Sequence, residues 1–99
     1  MALFLDTIYF TRQSPQKLKE ALGNIHKNLS TGAGLPKGVT VKAGPWYSNE
    51  ELKLVVVLDM QDHSHSYGAF SNAIASGMVE RRKLEPIVEW SSVEAFIKS

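Results

Sequence analysis

Residues 52–60 read Leu52-Lys53-Leu54-Val55-Val56-Val57-Leu58-Asp59-Met60. Three consecutive valines between leucines suit an extended backbone, because branching at Cβ restricts χ1 in a helix and packs well on a pleated sheet. In a strand, successive side chains point to opposite faces. Leu54, Val56 and Leu58 therefore point one way and Val55 and Val57 the other. A strand apolar on both faces belongs in the middle of a sheet with both sides covered. The rest of the sequence says what does the covering.

Upstream, Ser48-Asn49-Glu50-Glu51 is a polar turn. Before it, Val39–Tyr47 reads as a strand that Gly44-Pro45 interrupts with a bulge or bend. Ser14-Pro15 is a helix start, with Ser as N-cap and Pro in the first turn. Leu18, Ala21, Leu22, Ile25 and Leu29 follow as one apolar stripe. The helix is expected to fail by Ser30-Thr31-Gly32-Ala33-Gly34. The first strand is Leu3–Phe10. Leu3, Leu5, Thr7 and Tyr9 lie on one side of it, and Phe4, Asp6, Ile8 and Phe10 on the other.

Downstream, Asp62-His63-Ser64-His65-Ser66 offers N-caps for a second amphipathic helix carrying Tyr67, Phe70, Ala73, Ile74, Gly77 and Met78. Arg81-Arg82-Lys83 reads as its solvated end. Leu84–Trp90 reads as the fourth strand. Ser91-Ser92-Val93-Glu94 has the spacing of a capping box, so Glu94–Lys98 forms a last helical turn.

The order β-α-β-β-α-β in 99 residues gives an α+β fold, most simply a ferredoxin-like sandwich. This is one antiparallel four-stranded sheet with two helices on one face, in a single domain spanning residues 1–99. Strands 1 and 3 are then central and strands 2 and 4 are edges. The prolines agree: Pro45 and Pro86 fall in the edges, where a missing N–H breaks no ladder. Two helices cover only one face, yet strands 1 and 3 are apolar on both. The uncovered side exposes several of Phe4, Ile8, Phe10, Val55 and Val57, or else the leucine-bearing set. Such a patch marks an interface, and the expected partner is a second copy of the chain, packed sheet to sheet. The competing expectation is that Val93–Ile97 folds back over the sheet.

Composition sets outer limits. The chain has no Cys, which excludes a disulfide scaffold, a Cys-ligated metal and a thiol nucleophile. Its 11 basic and 10 acidic side chains leave a formal charge of +1 and no basic face, so nucleic acid is not an expected partner. Its apolar runs are too short for a membrane span. The apolar start at Met1-Ala2-Leu3-Phe4-Leu5 lacks a positive n-region and reads as a strand, with a cytoplasmic location as the default.

With its βαββαβ order, Val39-Thr40-Val41 leading to Gly44-Pro45-Trp46-Tyr47, the apolar strand 52–58 and Pro86, the chain resembles the dimeric α+β-barrel superfamily over nearly its whole length. It is similar to small uncharacterised members of that superfamily. The resemblance implies a homodimer whose sheets share a barrel, and it brings in cofactor-free monooxygenases, haem degraders and lactone isomerases. Those oxygenases use an Asn near strand 1, a Trp in a strand and in some members a His on the second helix. Strand 1 here has no Asn, Trp46 lies in strand 2, and His63 and His65 precede helix 2, so that pattern does not carry over.

The leading expectation is a homodimeric protein that binds a small apolar or aromatic molecule in a cleft beside the sheet, without a cofactor. Trp46, Tyr47 and Thr7 are the ligand-binding candidates. A cofactor-independent monooxygenase or isomerase is the alternative, with Asp6 and His65 as the catalytic candidates. A third reading is a metal-binding module through His63 and His65, set against a solvated helix start capped by Asp62 and Ser64. The sequence leaves open whether the protein is an enzyme.

Overall fold

A computed structural model of the chain describes residues 2–31 and 35–99. The side chains of Thr31, His63 and residues 66–70 lie outside that description, as does the 32–34 stretch where the first helix was expected to fail. The elements are β1 (Ala2–Phe10), α1 (Pro15–Thr31), β2 (Thr40–Ser48), β3 (Lys53–Met60), a 3₁₀ turn (His63–Ser66), α2 (Tyr67–Ala75), β4 (Val79–Ile87) and α3 (Trp90–Lys98).

The strands form one sheet in the order β2-β3-β1-β4, with every neighbouring pair antiparallel. β1 and β3 are central, as their two apolar faces require, and Pro45 and Pro86 lie in the edge strands. At the middle of the sheet Asp6 stands opposite Val56 on one side and Leu84 on the other. Side chains opposite each other in a ladder share a face. Phe4, Asp6, Ile8 and Phe10 therefore share a face with Leu54, Val56 and Leu58. Leu3, Leu5, Thr7 and Tyr9 share the other with Val55 and Val57. The sequence reading grouped Phe4, Ile8 and Phe10 with Val55 and Val57; the register corrects this and joins them to Leu54, Val56 and Leu58.

The first face is the core. Phe4, Phe10, Leu54, Val56, Leu58 and Met60 are buried there with Val39 and Val79, and Met60 is fully enclosed. Leu18, Leu22 and Ile25 of α1 and Ala73 of α2 pack on them. Each such side chain taken out of water contributes about 1.5–3 kcal/mol. The start of α1 is as the sequence indicates: the Lys17 amide donates to Ser14 Oγ at 3.3 Å and the Leu18 amide to the Ser14 carbonyl at 3.0 Å.

β2 departs from a regular edge in two places. Its register against β3 shifts between Val41 and Ala43 and again between Ala43 and Trp46. Gly44 has φ +89°, and the Gly44–Pro45 peptide is cis. A side chain at Gly44 would meet the Trp46 ring, whose nearest atom lies 2.9 Å from an ideal Cβ. The expected interruption at Gly44-Pro45 is thus a bulge with an indole folded over it.

Three expectations from the sequence are corrected. The second helix ends at Ala75, not beyond Met78, because Gly77 adopts φ +81° and its amide bonds back to the Ile74 carbonyl at 3.1 Å. The fourth strand is Val79–Ile87, not Leu84–Trp90. Arg81-Arg82-Lys83 therefore lie inside a strand and not at a helix end. The last helix starts at Trp90, with Glu89 at the N-cap making no side-chain cap, so Ser91–Glu94 is no capping box.

α3 does not fold back over the sheet. It has no buried residue, and Trp90, Phe96 and Ile97 are 67%, 79% and 66% exposed. The molecule measures 52 × 30 × 21 Å and its radius of gyration is 14.8 Å, against about 13 Å for a close-packed chain of this length. Among the described residues the helices pack on the other face, and Leu3, Leu5, Val55 and Val57 stay part-exposed. No helix among the described residues is long and apolar enough to cross a membrane.

Candidate functional site

The alternation of β1 places one carboxylate, Asp6, in the middle of the core face, where its neighbours across the ladder are Val56 and Leu84. A buried carboxylate needs a partner. The corrected register of β4 supplies it. Arg82 lies opposite Ile8, one pleat along on the same face, and reaches Asp6 with both arms of its guanidinium. Nε donates to Oδ1 at 2.7 Å and an Nη to Oδ2 at 2.8 Å. The two side chains are 4% and 10% exposed. This parallel, two-point geometry is the strongest form of carboxylate–guanidinium contact.

The pair forms one wall of a cavity of about 200 Å³ between the sheet and the helices. Ile8, Leu54, Val56 and Leu58 line it from the sheet, Ile25 and Leu29 from α1, and Ala73 from α2. Leu35, Pro36 and Val39 line it from the segment that leads into β2. Among the described residues only Asp6, Arg82 and Asn28 bring polar side chains to it. The site is thus a partly open, largely apolar pocket whose polar groups are the charge-compensated Asp6–Arg82 pair and Asn28.

The candidates from the sequence do not gather here. Thr7 is buried but points to the opposite face from Asp6. Trp46 pairs with Val55 on that same opposite face and is 55% exposed. Tyr47 pairs with Leu54 and touches Phe10, with ring centroids 6.4 Å apart, and does not line the cavity. The His65 ring lies against Gly38, just before β2, and is exposed to solvent. Asp6, Trp46, Tyr47 and His65 therefore do not make one site. No group of three or more His, Cys, Asp or Glu is placed to hold a metal among the described residues, and the His63 side chain lies outside them. The residue that sequence reasoning missed is Arg82. Its signal was the Gly77 helix stop, which moves Arg82 from a helix end into a strand.

A second polar feature lies on the uncovered face. The Arg81 guanidinium sits over the Tyr9 ring at 3.8 Å, and Lys53 Nζ is 5.9 Å from the same ring. Lys53 also pairs with Glu51 at 2.9 Å, and that contact holds its amine above the usual lysine value. Asp59, at the other end of β3, has a buried Oδ1 with no hydrogen-bond donor among the described residues. It borders a groove of about 480 Å³ shared with Leu3, Lys42, Ile87 and the first turn of α3.

No protein-family model, curated protein or solved structure matches the chain.

Proposed function

We propose that this protein binds one small, uncharged molecule with an apolar or aromatic body in the cavity between its sheet and its helices. Its fold is read as a ferredoxin-like sandwich with a second copy of the chain as the layer over its uncovered face. The cavity carries the binding reading. A hydrocarbon-lined space of about 150 Å³ is enough to take benzene, and this one measures about 200 Å³. A single ring with a small substituent fits that volume. The Asp6–Arg82 pair narrows the chemistry. Its charges already cancel, so a charged ligand would bring an uncompensated charge into an apolar space at a cost of several kcal/mol. A neutral hydroxyl can still donate to a carboxylate oxygen, because each oxygen accepts more than one bond. Phenol-sized molecules are therefore the favoured class. The strand order and the packing of α1 and α2 on one face support the fold reading.

The test is a thermal-shift and chemical-shift titration with phenol, toluene and benzoate. At ten times its dissociation constant a ligand stabilises the folded state by about 1.4 kcal/mol, which raises the midpoint by roughly 6–11 °C in a domain of this size. Phenol and toluene are expected to raise it and benzoate to leave it unchanged. Ala73→Phe fills the cavity from α2 and is expected to abolish the response while the protein stays folded. Absence of any response to the neutral rings, or an equal response in Ala73→Phe, overturns the proposal.

A further inference from the structure

The first helix presents one polar residue to the pocket. Leu18, Leu22 and Ile25 of α1 pack on the core, and Leu29 continues their stripe into the pocket wall. Asn28 lies on the same side of the helix, three residues after Ile25 and seven after the buried Ala21. At those spacings a core-facing helix repeats its apolar positions. An amide therefore stands where the stripe calls for hydrocarbon. Its side chain makes no hydrogen bond to the described residues. The polar groups of the pocket also differ in depth and in wall. Asp6 and Arg82 stand on the sheet, 4% and 10% exposed. Asn28 stands across from the sheet on α1 and is exposed, so it marks the open end. The rest of the wall is hydrocarbon, with Ile8, Ile25, Leu29 and Val39 among its residues.

We infer that the molecule taken up is a ring with neutral hydrogen-bonding groups at both ends, and that Asn28 is the residue that selects the outer one. This rests on the reading that the pocket binds a small neutral ring, and it adds the second group and what reads it. The inner group is a hydroxyl that donates to a carboxylate oxygen of Asp6. Because Asp6 and Asn28 stand on opposite walls, the second group lies across the ring from the first. Asn28 offers an oxygen that accepts and an NH₂ that donates. A carboxamide matches both halves. A carboxylate sets an acceptor against the Asn28 oxygen, and an alkyl group leaves both halves without a partner. The ligand class is therefore a phenol bearing a carboxamide opposite its hydroxyl.

Water limits the strength of the outer contact. Asn28 is exposed in the empty pocket, so a ligand amide exchanges bonds to water for bonds to protein. That exchange is worth about three- to tenfold in affinity. An alkyl group of the same shape covers the Asn28 amide, takes it from water and gives no bond in return, which weakens binding. The selection lies in the difference between the two ligands.

Calorimetric titration of the full chain and of Asn28→Leu with three probes tests this. The probes are phenol, 4-hydroxybenzamide and 4-isopropylphenol, the last two differing only in an amide against an alkyl group of the same shape. Leucine suits an exposed helical position, so the variant folds. Phenol does not reach the open end, and its dissociation constant is expected to stay within about twofold between the two proteins. Asn28→Leu is expected to weaken the amide and to strengthen the alkyl ligand, shifting the ratio of their constants about tenfold or more. A change confined to the fold of α1 would move all three probes together and leave that ratio where it was. Absence of phenol binding to the wild type overturns the pocket reading on which the inference rests. Phenol binding with a ratio that Asn28→Leu leaves within about twofold keeps the pocket and overturns the role of Asn28.

Discussion

Asp6 is the residue at which the fold and the candidate site meet. Read in sequence it is a polar interruption in an apolar strand, and nothing local identifies its partner, because Arg82 lies 76 positions away. What the sequence does establish is its face, by alternation with Phe4 and Ile8. In the folded chain the pair is buried, so its worth depends on both members. Asp6→Asn leaves a guanidinium in an apolar space, and a loss of about 3–5 kcal/mol is expected in denaturant unfolding. Asp6→Leu combined with Arg82→Met removes both charges and is expected to recover most of that loss. The same double variant should lose its preference for phenol over toluene, because the polar spot of the cavity is gone. Equal destabilisation by the single and double changes would show that the pair acts through packing alone.

Elements whose pattern depends on their own period were legible, and those defined by a boundary were not. β3 is plain from alternation, and α1 from its stripe and the Ser14-Pro15 start. β4 was displaced because Val79-Glu80-Arg81-Arg82 has no apolar alternation: on its core side one position is the arginine that pairs with Asp6. Gly77 was counted into the helical stripe, although a residue at φ +81° is where a helix stops. α3 was read too short for a related reason, since its first turn has no side-chain cap to announce it. With none of its residues buried, α3 adds little to the folding of the domain that bears it. Phe96→Ser is expected to change the free energy of unfolding by less than about 0.5 kcal/mol, measured at a protein concentration held constant. The same change at Phe10, which is 3% exposed, should cost about 3–5 kcal/mol.

At the scale of the whole molecule, the sequence carried the excess of apolar sheet surface but not its arrangement. Which valines join which leucines depends on the register between strands some fifty residues apart. Which charges reach the uncovered face depends in addition on β4 starting five residues earlier than its sequence suggests. Glu51 holds the Lys53 amine above its ordinary value, against the opposing effects of partial burial and of Arg81, with Tyr9 assisting Glu51. A raised amine stays charged to higher pH. Its pairing with Glu51 is therefore complete through neutral and mildly alkaline pH, and is lost only as pH climbs through that raised value.

The two bulges and the proline of β2 have a consequence for how far assembly can go. An edge strand offers its free backbone groups to any passing strand, and this sheet has two edges. On one, the register slips twice and Pro45 has no amide to give. On the other, Pro86 and the run Glu80-Arg81-Arg82-Lys83 interrupt the row with a missing donor and a line of charges. Neither side of the sheet offers an unbroken edge on which a ribbon could grow. The same irregularities that make β2 and β4 hard to read in sequence keep a protein with an apolar face from extending into a fibre.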